Sequence, residues 1–192
     1  MSEQITPGSG EMSLAGYAPP VWIASTFAPR WYADAIQEAR VGVGRDARRR
    51  EIVFAVCSAE SYLVEWVRDS VLNREFDDLS KYFPAGKLEG ILDRWKRVVK
   101  DLTADGRISK SQAFGGKVWQ DFVELVEYRN GLVHGRSSRP ATSGQPANLN
   151  PVPSMDLLDQ LAPGWAAKVV QVLVNDLHST VGTAPPAWRD PP

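Results

Sequence analysis

The sequence predicts an all-α protein built as an antiparallel four-helix bundle. Four stretches carry apolar residues at helical spacing, and no stretch of several residues alternates apolar and polar side chains as a strand would. The segments richest in Gly, Pro and Ser lie at the start of the chain and before the last helical stretch. An antiparallel bundle is the simplest arrangement that buries four such apolar stripes.

The chain is predicted to begin with an irregular arm, residues 1–29, because this range is rich in Gly, Ser and Pro. The stretch VWIASTFAPRWY (21–32) overlaps the end of the arm and is too aromatic for a simple linker. We expect it to dock on the body of the protein or on a partner chain. A weaker helical pattern follows in WYADAIQEAR (31–40).

The bundle itself is predicted over residues 30–180, and each of its four helices has an apolar face. The predicted helices span about 46–72, 86–103, 116–134 and 163–179. Between the third and fourth lies GRSSRPATSGQPANLNPVPS (135–154), whose composition predicts a long loop, and residues 181–192 are predicted to form a disordered C-terminal tail.

Composition limits the classes of function. The 192 residues suit one compact domain with tails, or two small domains at most, and 43% hydrophobic with 23% charged residues is typical of a globular protein. The net charge of -1 means that attraction to a polyanion must come from a local patch. Cys57 is the only cysteine, and neither a signal peptide nor a membrane-spanning run is recognisable. These features predict a cytoplasmic protein that does not contact a membrane.

Two motifs resemble ligand sites but are better explained as connections. GVGRDA (42–47) matches a loose dinucleotide fingerprint, yet no strand precedes it, so a helix break with glycine at the cap is favoured. DLTADGRISKSQ (101–112) resembles a calcium loop, but its twelfth position is Gln112 where a bidentate carboxylate is required. We therefore expect a helix connection that turns at Asp105 and Gly106.

The sequence predicts neither a cofactor nor a metal. It contains two histidines and one cysteine and no pair at metal-ligand spacing, which leaves open only a magnesium ion held by carboxylates. His178 is predicted to act as a charge near the C-terminus of the last helix rather than as a ligand.

The end of the third helix, EYRNGLVHG (127–135), carries the candidate functional residues. On a helical wheel Arg129 falls within an apolar arc of about 100°, formed by Val118, Phe122, Leu125, Val126 and Val133. Asn130 and His134 stack on the flank of this arc, beside Trp119 and Val123. An ordinary helix end explains His134 and the following glycine, but a guanidinium on a core face is costly unless it is paired or faces a cleft. Glu60, within the apolar arc of the first predicted helix, is a candidate partner for Arg129.

Arg129-Asn130-x-x-x-His134 resembles the R-N-x-x-x-H motif of the HEPN family, a family of all-helical bundles found in prokaryotic toxin and antiviral systems. The acid in SAESYLVEWV (58–67) is also similar to the family pattern. The resemblance covers roughly 46–180, and its motif is six residues long. It implies metal-independent RNA cleavage at a dimer interface, in which His134 moves protons and Arg129 holds phosphoryl oxygens. Asn130 would orient the histidine or bind the phosphate.

Further basic residues are candidates for binding the RNA backbone. Lys96, Arg97 and Lys100 share one side of the second predicted helix, although a solvated helix face is the favoured explanation for them. Arg136 and Arg139 directly follow the motif. HEPN toxins paired with nucleotidyltransferase antitoxins carry a tyrosine two positions after the histidine, where this chain has Arg136, so control through that tyrosine is not expected.

Two main functions from different classes remain open, with an unrelated four-helix regulatory protein as a third. One is a HEPN-type endoribonuclease, as a toxin or antiviral effector, with RNA as substrate, a homodimeric site and an antitoxin or sensor as a further partner. The other is a non-catalytic helical module that dimerises or binds a partner through the apolar flank of the third helix. The intact R-N-x-x-x-H triad favours the first.

Overall fold

The computed structural model describes residues 27–72, 76–86, 89–134, 158 and 160–187, with the backbone alone at 70, 76–78 and 134. Within these ranges the chain forms six α-helices and no strand. The helices are α1 (Ala28–Val41), α2 (Gly44–Trp66), α3 (Phe76–Tyr82), α4 (Ile91–Ala104), α5 (Lys117–His134) and α6 (Trp165–Val181), and a π-helical segment, Val67–Val71, continues α2. The predicted helical bundle is confirmed, although the number of helices exceeds four.

The four predicted helices correspond to α2, α4, α5 and α6, with ends that differ by a few residues. The weak pattern at 31–40 belongs to a complete helix, α1, which begins two residues inside the range assigned to the arm. This helix packs mainly along α2 and buries Tyr32 and Ala35. The short α3 was not predicted, because seven residues give too few turns for a periodic pattern.

The break between α1 and α2 occurs at the predicted glycine. Gly42 follows the last residue of α1, and its amide donates to the Glu38 carbonyl at 3.0 Å. A Cβ atom added at Gly42 would lie 2.4 Å from that carbonyl oxygen and 2.5 Å from the Cβ of Ala47. Glycine therefore permits the close approach of the two helices, and the GVGRDA stretch is a structural turn.

Helix α2 is the centre of the bundle and contacts α1, α5 and α6. Its buried aromatic residues join a chain of rings, in which Tyr62 stacks on Trp95 of α4 at 6.3 Å and Trp95 meets Phe122 of α5 edge-on at 5.8 Å. These contacts hold α2, α4 and α5 together around one core. No helix in the described ranges is both long and apolar enough to cross a bilayer.

The stretch that resembles a calcium loop is a helix connection, as predicted. Asp105 ends α4, and Gly106 has a positive φ of 69°, a backbone conformation that favours glycine. The Asp105 carboxylate accepts from the Tyr82 hydroxyl at 2.5 Å, and Gln112 donates to Asp176 of α6 at 2.7 Å. Both side chains therefore fasten neighbouring helices to the α4–α5 connection.

The start of α6 is capped by a side chain from α2. Gly164 precedes α6 and offers no capping side chain of its own. The buried Glu51 carboxylate instead accepts from the amides of Gly164 and Ala166, at 3.3 and 3.0 Å, and it also pairs with Arg48. Because the first amides of a helix have no intrahelical acceptor, this carboxylate satisfies groups that would otherwise be buried without partners.

Candidate functional site

A cleft of about 470 Å³ lies between the middle of α2, the start of α4 and the C-terminal half of α5. It brings together four of the residues singled out in the sequence, which are Glu60, Lys96, Arg129 and Asn130. Glu89 and Asp93 also line it. We refer to this feature as the α4–α5 cleft. It joins residues that lie far apart in the chain, so their grouping is a consequence of the fold.

Arg129 and Asn130 lie side by side in the α4–α5 cleft and are both half-buried. The Arg129 Nη1 group donates a hydrogen bond to the Asn130 Oδ1 atom at 3.0 Å. The Arg129 Nε atom is fully buried and has no hydrogen-bond partner among the described residues. Part of this guanidinium is thus fixed by its neighbour while another part remains unsatisfied, an unfavourable arrangement unless a ligand accepts from it.

The predicted apolar arc of α5 is confirmed for Phe122, Leu125 and Val126, which are buried. It is wrong at Val133, which is 52% exposed because it lies in the last turn of α5, where the core has ended. Trp119, assigned to the flank, is a core residue. The buried face of α5 is therefore wider than predicted in the first turns of the helix and narrower toward its C-terminus.

Glu60 is half-buried and lines the cleft with Arg129, but the proposed ion pair between them is not formed. No nitrogen of Arg129 lies within 4.0 Å of a Glu60 carboxylate oxygen. Both charges nevertheless act on the nearby Cys57 thiol. Burial raises the pKa of Cys57, the Glu60 charge raises it further, and the Arg129 charge lowers it. Glu60 is therefore close enough to influence the cleft without neutralising Arg129.

The three basic residues predicted on one side of α4 differ in their surroundings. Lys96 lines the cleft and holds its ammonium 5.3 Å from the centre of the Trp119 ring. Arg97 pairs with Glu89 at 2.8 Å and donates to the Tyr82 carbonyl at 3.0 Å. The hydrogen bond to Glu89 raises the pKa of Arg97. Lys100 is exposed. Lys96 is thus available to a ligand in the cleft, whereas Arg97 stabilises the start of α4.

The charges in the cleft nearly balance. Glu89 is neutralised by Arg97, which leaves the carboxylates of Glu60 and Asp93 against the cations of Lys96 and Arg129. Neither Glu60 nor Asp93 forms an ion pair or hydrogen bond with another described side chain. The cleft therefore offers both donors and acceptors to a ligand.

The remaining predicted site residues lie partly or wholly outside the described ranges. His134 is the last residue of α5, and its backbone follows Asn130 by one turn, a rise of about 6 Å along the helix axis. Its side chain is outside the description, as are Arg136, Arg139 and the whole of the predicted 135–154 loop. The helical backbone therefore places Asn130 and His134 about one turn apart on α5.

A second cavity, of about 230 Å³, was not found from the sequence. It is lined by Tyr62, Glu65, Trp66 and His178, among others, on the side of α2 away from the cleft. His178, expected as a charge near a helix end, is only 3% exposed and is bound by the Tyr62 hydroxyl and by Thr183 Oγ1 at 2.6 Å. His178 thus lies in the last turn of α6, as expected, but it is buried and hydrogen-bonded on both ring nitrogens.

The acid with the most strongly shifted pKa in this second cavity is Glu65. Partial burial raises the pKa of its carboxyl from 4.5 to about 7, and the hydrogen bond from the Ala28 amide at 3.1 Å opposes the shift. Because Ala28 is the first residue of α1, Glu65 ties the start of that helix to α2. Sequence reasoning missed Glu65 because nothing in its spacing separates it from an ordinary surface acid.

Among the described residues, no group of three or more His, Cys, Asp or Glu side chains is arranged to hold a metal ion. No family model, curated protein or solved structure matches the chain. The α4–α5 cleft and the residues of α5 are therefore the features that indicate a function.

Proposed function

We propose that this protein is a metal-independent endoribonuclease of the HEPN type, with the α4–α5 cleft and the end of α5 as its site. One observation carries the proposal. The Arg129 guanidinium lies in an open cleft, is fixed on one side by Asn130 and retains a buried Nε–H for which the described residues offer no acceptor. A phosphoryl oxygen would satisfy that donor, and a planar guanidinium holds two such oxygens at once.

The chemistry suits the three residues of the motif. In the proposed reaction a ribose 2′-hydroxyl attacks the adjacent phosphorus, and the P–O5′ bond breaks to leave a 2′,3′-cyclic phosphate. His134 moves the proton, because an imidazole titrates near neutral pH. Arg129 stabilises the charge that gathers on the phosphoryl oxygens. Asn130 keeps the guanidinium in place through its Oδ1 atom.

We further propose that the catalytic unit is a homodimer. One His134 per chain cannot easily act as both acid and base, whereas two chains meeting at the ends of α5 would supply two histidines. An apolar surface for such contact lies beside the motif. Val133 is 52% exposed, and it borders a groove of about 270 Å³ that Phe54 and Leu132 also line.

The RNA backbone would be held by the basic residues around the motif, which are Lys96, Lys100, Arg136 and Arg139. Arg97 would contribute less, since its guanidinium is already paired. A cytoplasmic nuclease of this kind requires restraint, so we propose a toxin or antiviral effector whose further partner is an antitoxin or a sensor.

The test is incubation of the purified protein with a labelled single-stranded RNA in the presence of EDTA. Wild type is expected to cleave and to leave a 2′,3′-cyclic phosphate, whereas His134→Ala and Arg129→Ala are expected to be inactive. Arg30→Ala, which removes an exposed arginine on α1, is the matched control and should keep full activity. Intact RNA with wild type, or equal cleavage by the His134 variant, would refute the proposal.

A second candidate function is a non-catalytic module that dimerises or binds a partner through the apolar groove. The exposed Val133 and the groove beside it favour this function. It predicts that Val133→Asp changes the oligomeric state measured by light scattering, while wild type leaves RNA intact under every condition. Cleavage that depends on His134 would exclude it as the whole function.

A further inference from the structure

The α4–α5 cleft holds two carboxylates that play no part in binding the phosphate backbone of RNA. Glu60 is half-buried and Asp93 is exposed, both line the cleft, and neither is bound to another described side chain. Glu89 is different, because Arg97 neutralises it at 2.8 Å. Two unneutralised acids therefore share a cleft with Arg129.

These acids oppose phosphate binding, since each repels the charge that Arg129 attracts. Asp93 also lies in the first turn of α4, where a negative charge is stabilised by the helix dipole. The dipole explains one carboxylate at that position, but it does not explain Glu60, which reaches the same cleft from the middle of α2. What the two groups share is the ability to accept hydrogen bonds from a ligand in the cleft.

Single-stranded RNA supplies suitable donors on its bases. Proteins read unstacked bases along their hydrogen-bonding edges, and carboxylates accept from exocyclic amino groups. Cytosine and adenine present one amino group each. Guanine presents an N1–H beside its 2-amino group, so both oxygens of one carboxylate can accept together. Uracil has no exocyclic amino group, and its N3–H donor lies between the O2 and O4 acceptors, which would repel a carboxylate.

We propose that Asp93 and Glu60 read the base of the nucleotide whose phosphate is held by Arg129, so that the site prefers a base with an amino group, guanine first, over uracil. This inference rests on the proposed nuclease function. The cations and the carboxylates of the cleft would then bind different parts of the nucleotide. Arg129 and Lys96 hold the backbone, while the two carboxylates select the base and exclude uracil by repulsion between acceptors.

The experiment compares cleavage of four RNA oligonucleotides that are identical except at one site in an otherwise all-uridine strand, where guanosine, inosine, cytidine or uridine stands. Inosine keeps the N1–H of guanosine and lacks the 2-amino group. Wild type is expected to cleave at guanosine about tenfold faster than at uridine, the scale of one good base contact, with inosine in between.

Asp93→Ala is the informative variant, because Asp93 is exposed and its removal should leave folding intact. It is expected to lower the guanosine-to-uridine ratio of cleavage rates to about one third of the wild-type ratio or less. Glu60→Gln should lower the same ratio. Asp34→Ala, which removes an exposed acid from α1, is the control and should leave the ratio unchanged.

The outcomes separate the two proposals. No His134-dependent cleavage of any oligonucleotide overturns both the nuclease function and this inference. His134-dependent cleavage at equal rates for all four bases overturns base reading alone. A preference for guanosine that survives in both Asp93→Ala and Glu60→Gln also overturns it, because the preference would then come from other groups.

Discussion

Helix α2 carries two acids nine residues apart, Glu51 and Glu60, and their surroundings are opposite in kind. Glu51 is 1% exposed and fully used, since it binds the amides of Gly164 and Ala166 and pairs with Arg48. Glu60 is half-buried, faces an open cleft and binds no other described side chain. Two arginines differ in the same way, because Arg48 is held by Glu51 while a buried nitrogen of Arg129 has no partner in the described part of the chain.

The contrast teaches how to separate structural from functional charges in this protein. A buried carboxylate with all its oxygens used contributes to the folded state, and its removal leaves other groups unsatisfied. A charge that lines a cleft without a partner adds little to stability and remains available for a ligand. Both kinds occur on one helix, so the amino-acid type alone does not distinguish them.

The largest expected effect is the loss of stability in Glu51→Ala. The change leaves Arg48 as an uncompensated buried charge and the first amides of α6 without an acceptor, at a cost of about 3–5 kcal/mol in the free energy of unfolding. Urea denaturation followed by circular dichroism measures it. Glu60→Ala is the matched variant and should cost less than about 1 kcal/mol. Equal losses in the two variants would remove the distinction between the acids.

Replacing Arg129 and replacing Arg48 should likewise have opposite effects when both activity and stability are measured. Arg129→Ala is expected to lower kcat about 10²- to 10³-fold, because it removes a donor to the charged phosphoryl oxygens in the proposed reaction. Its unfolding midpoint should stay near that of wild type. Arg48→Ala should do the reverse, with a lower unfolding midpoint and full kcat for the folded fraction. A loss of activity that follows stability in both variants would contradict the assignment of Arg129 to the site.

A smaller effect is expected for Lys96→Ala, which tests whether the cleft binds a phosphate backbone. Removing one phosphate contact should reduce the slope of log K against log salt concentration by about 0.7 for single-stranded RNA. Fluorescence anisotropy over a range of salt concentrations gives the slope. The exposed Lys110 lies on the α4–α5 connection, and Lys110→Ala should leave it unchanged. An unaltered slope in Lys96→Ala would show that this ammonium does not contact phosphate.

The smallest expected effect concerns Glu65, on the opposite side of α2. Its pKa is raised to about 7 in the folded state, so the folded carboxyl holds its proton after the unfolded one has released it. Its contribution to stability is therefore full below about pH 4.5 and is lost as the pH rises toward 7. The charged or titratable groups that face Glu65 in the folded protein are Arg68, Asp69 and His178.

Glu65→Gln keeps an acceptor for the Ala28 amide and removes the titration. The melting temperature of this variant relative to wild type should increase between pH 5 and pH 8. Asp34→Asn, an exposed acid on α1, should give a constant difference over the same range. A difference for Glu65→Gln that is constant or reversed would contradict the raised pKa.

Much of the fold followed from local patterns. The periodic stripes predicted α2, α4, α5 and α6 because each spans at least fourteen residues and therefore several turns. The glycine break at Gly42 and the turn at Asp105 and Gly106 were also predicted from local chemistry. The short α3 was missed and α1 was underestimated, since α1 gains its stability by packing along α2, a contact that its own sequence does not reveal.

The candidate site shows the same limit. Arg129 and Asn130 were found from six residues of one helix, because a helix fixes which side chains are neighbours on its surface. Lys96 and Glu60 were suggested by type and helical face, and the structure brings both to the cleft. The expected ion pair of Glu60 with Arg129 is not formed, and Asp93, Glu65 and the buried state of His178 were not foreseen.

The sequence by itself determined the helical class, the approximate ends of four helices and the spacing of about one turn between Asn130 and His134. These are short-range properties, set by hydrogen bonds and side-chain spacing within a few turns. Only the tertiary structure decided which charges are satisfied and which remain free, because partners such as Glu51 and the Ala166 amide are separated by 115 residues. Whether a polar group is used depends on what packs against it, and that contact exists only once the helices have assembled.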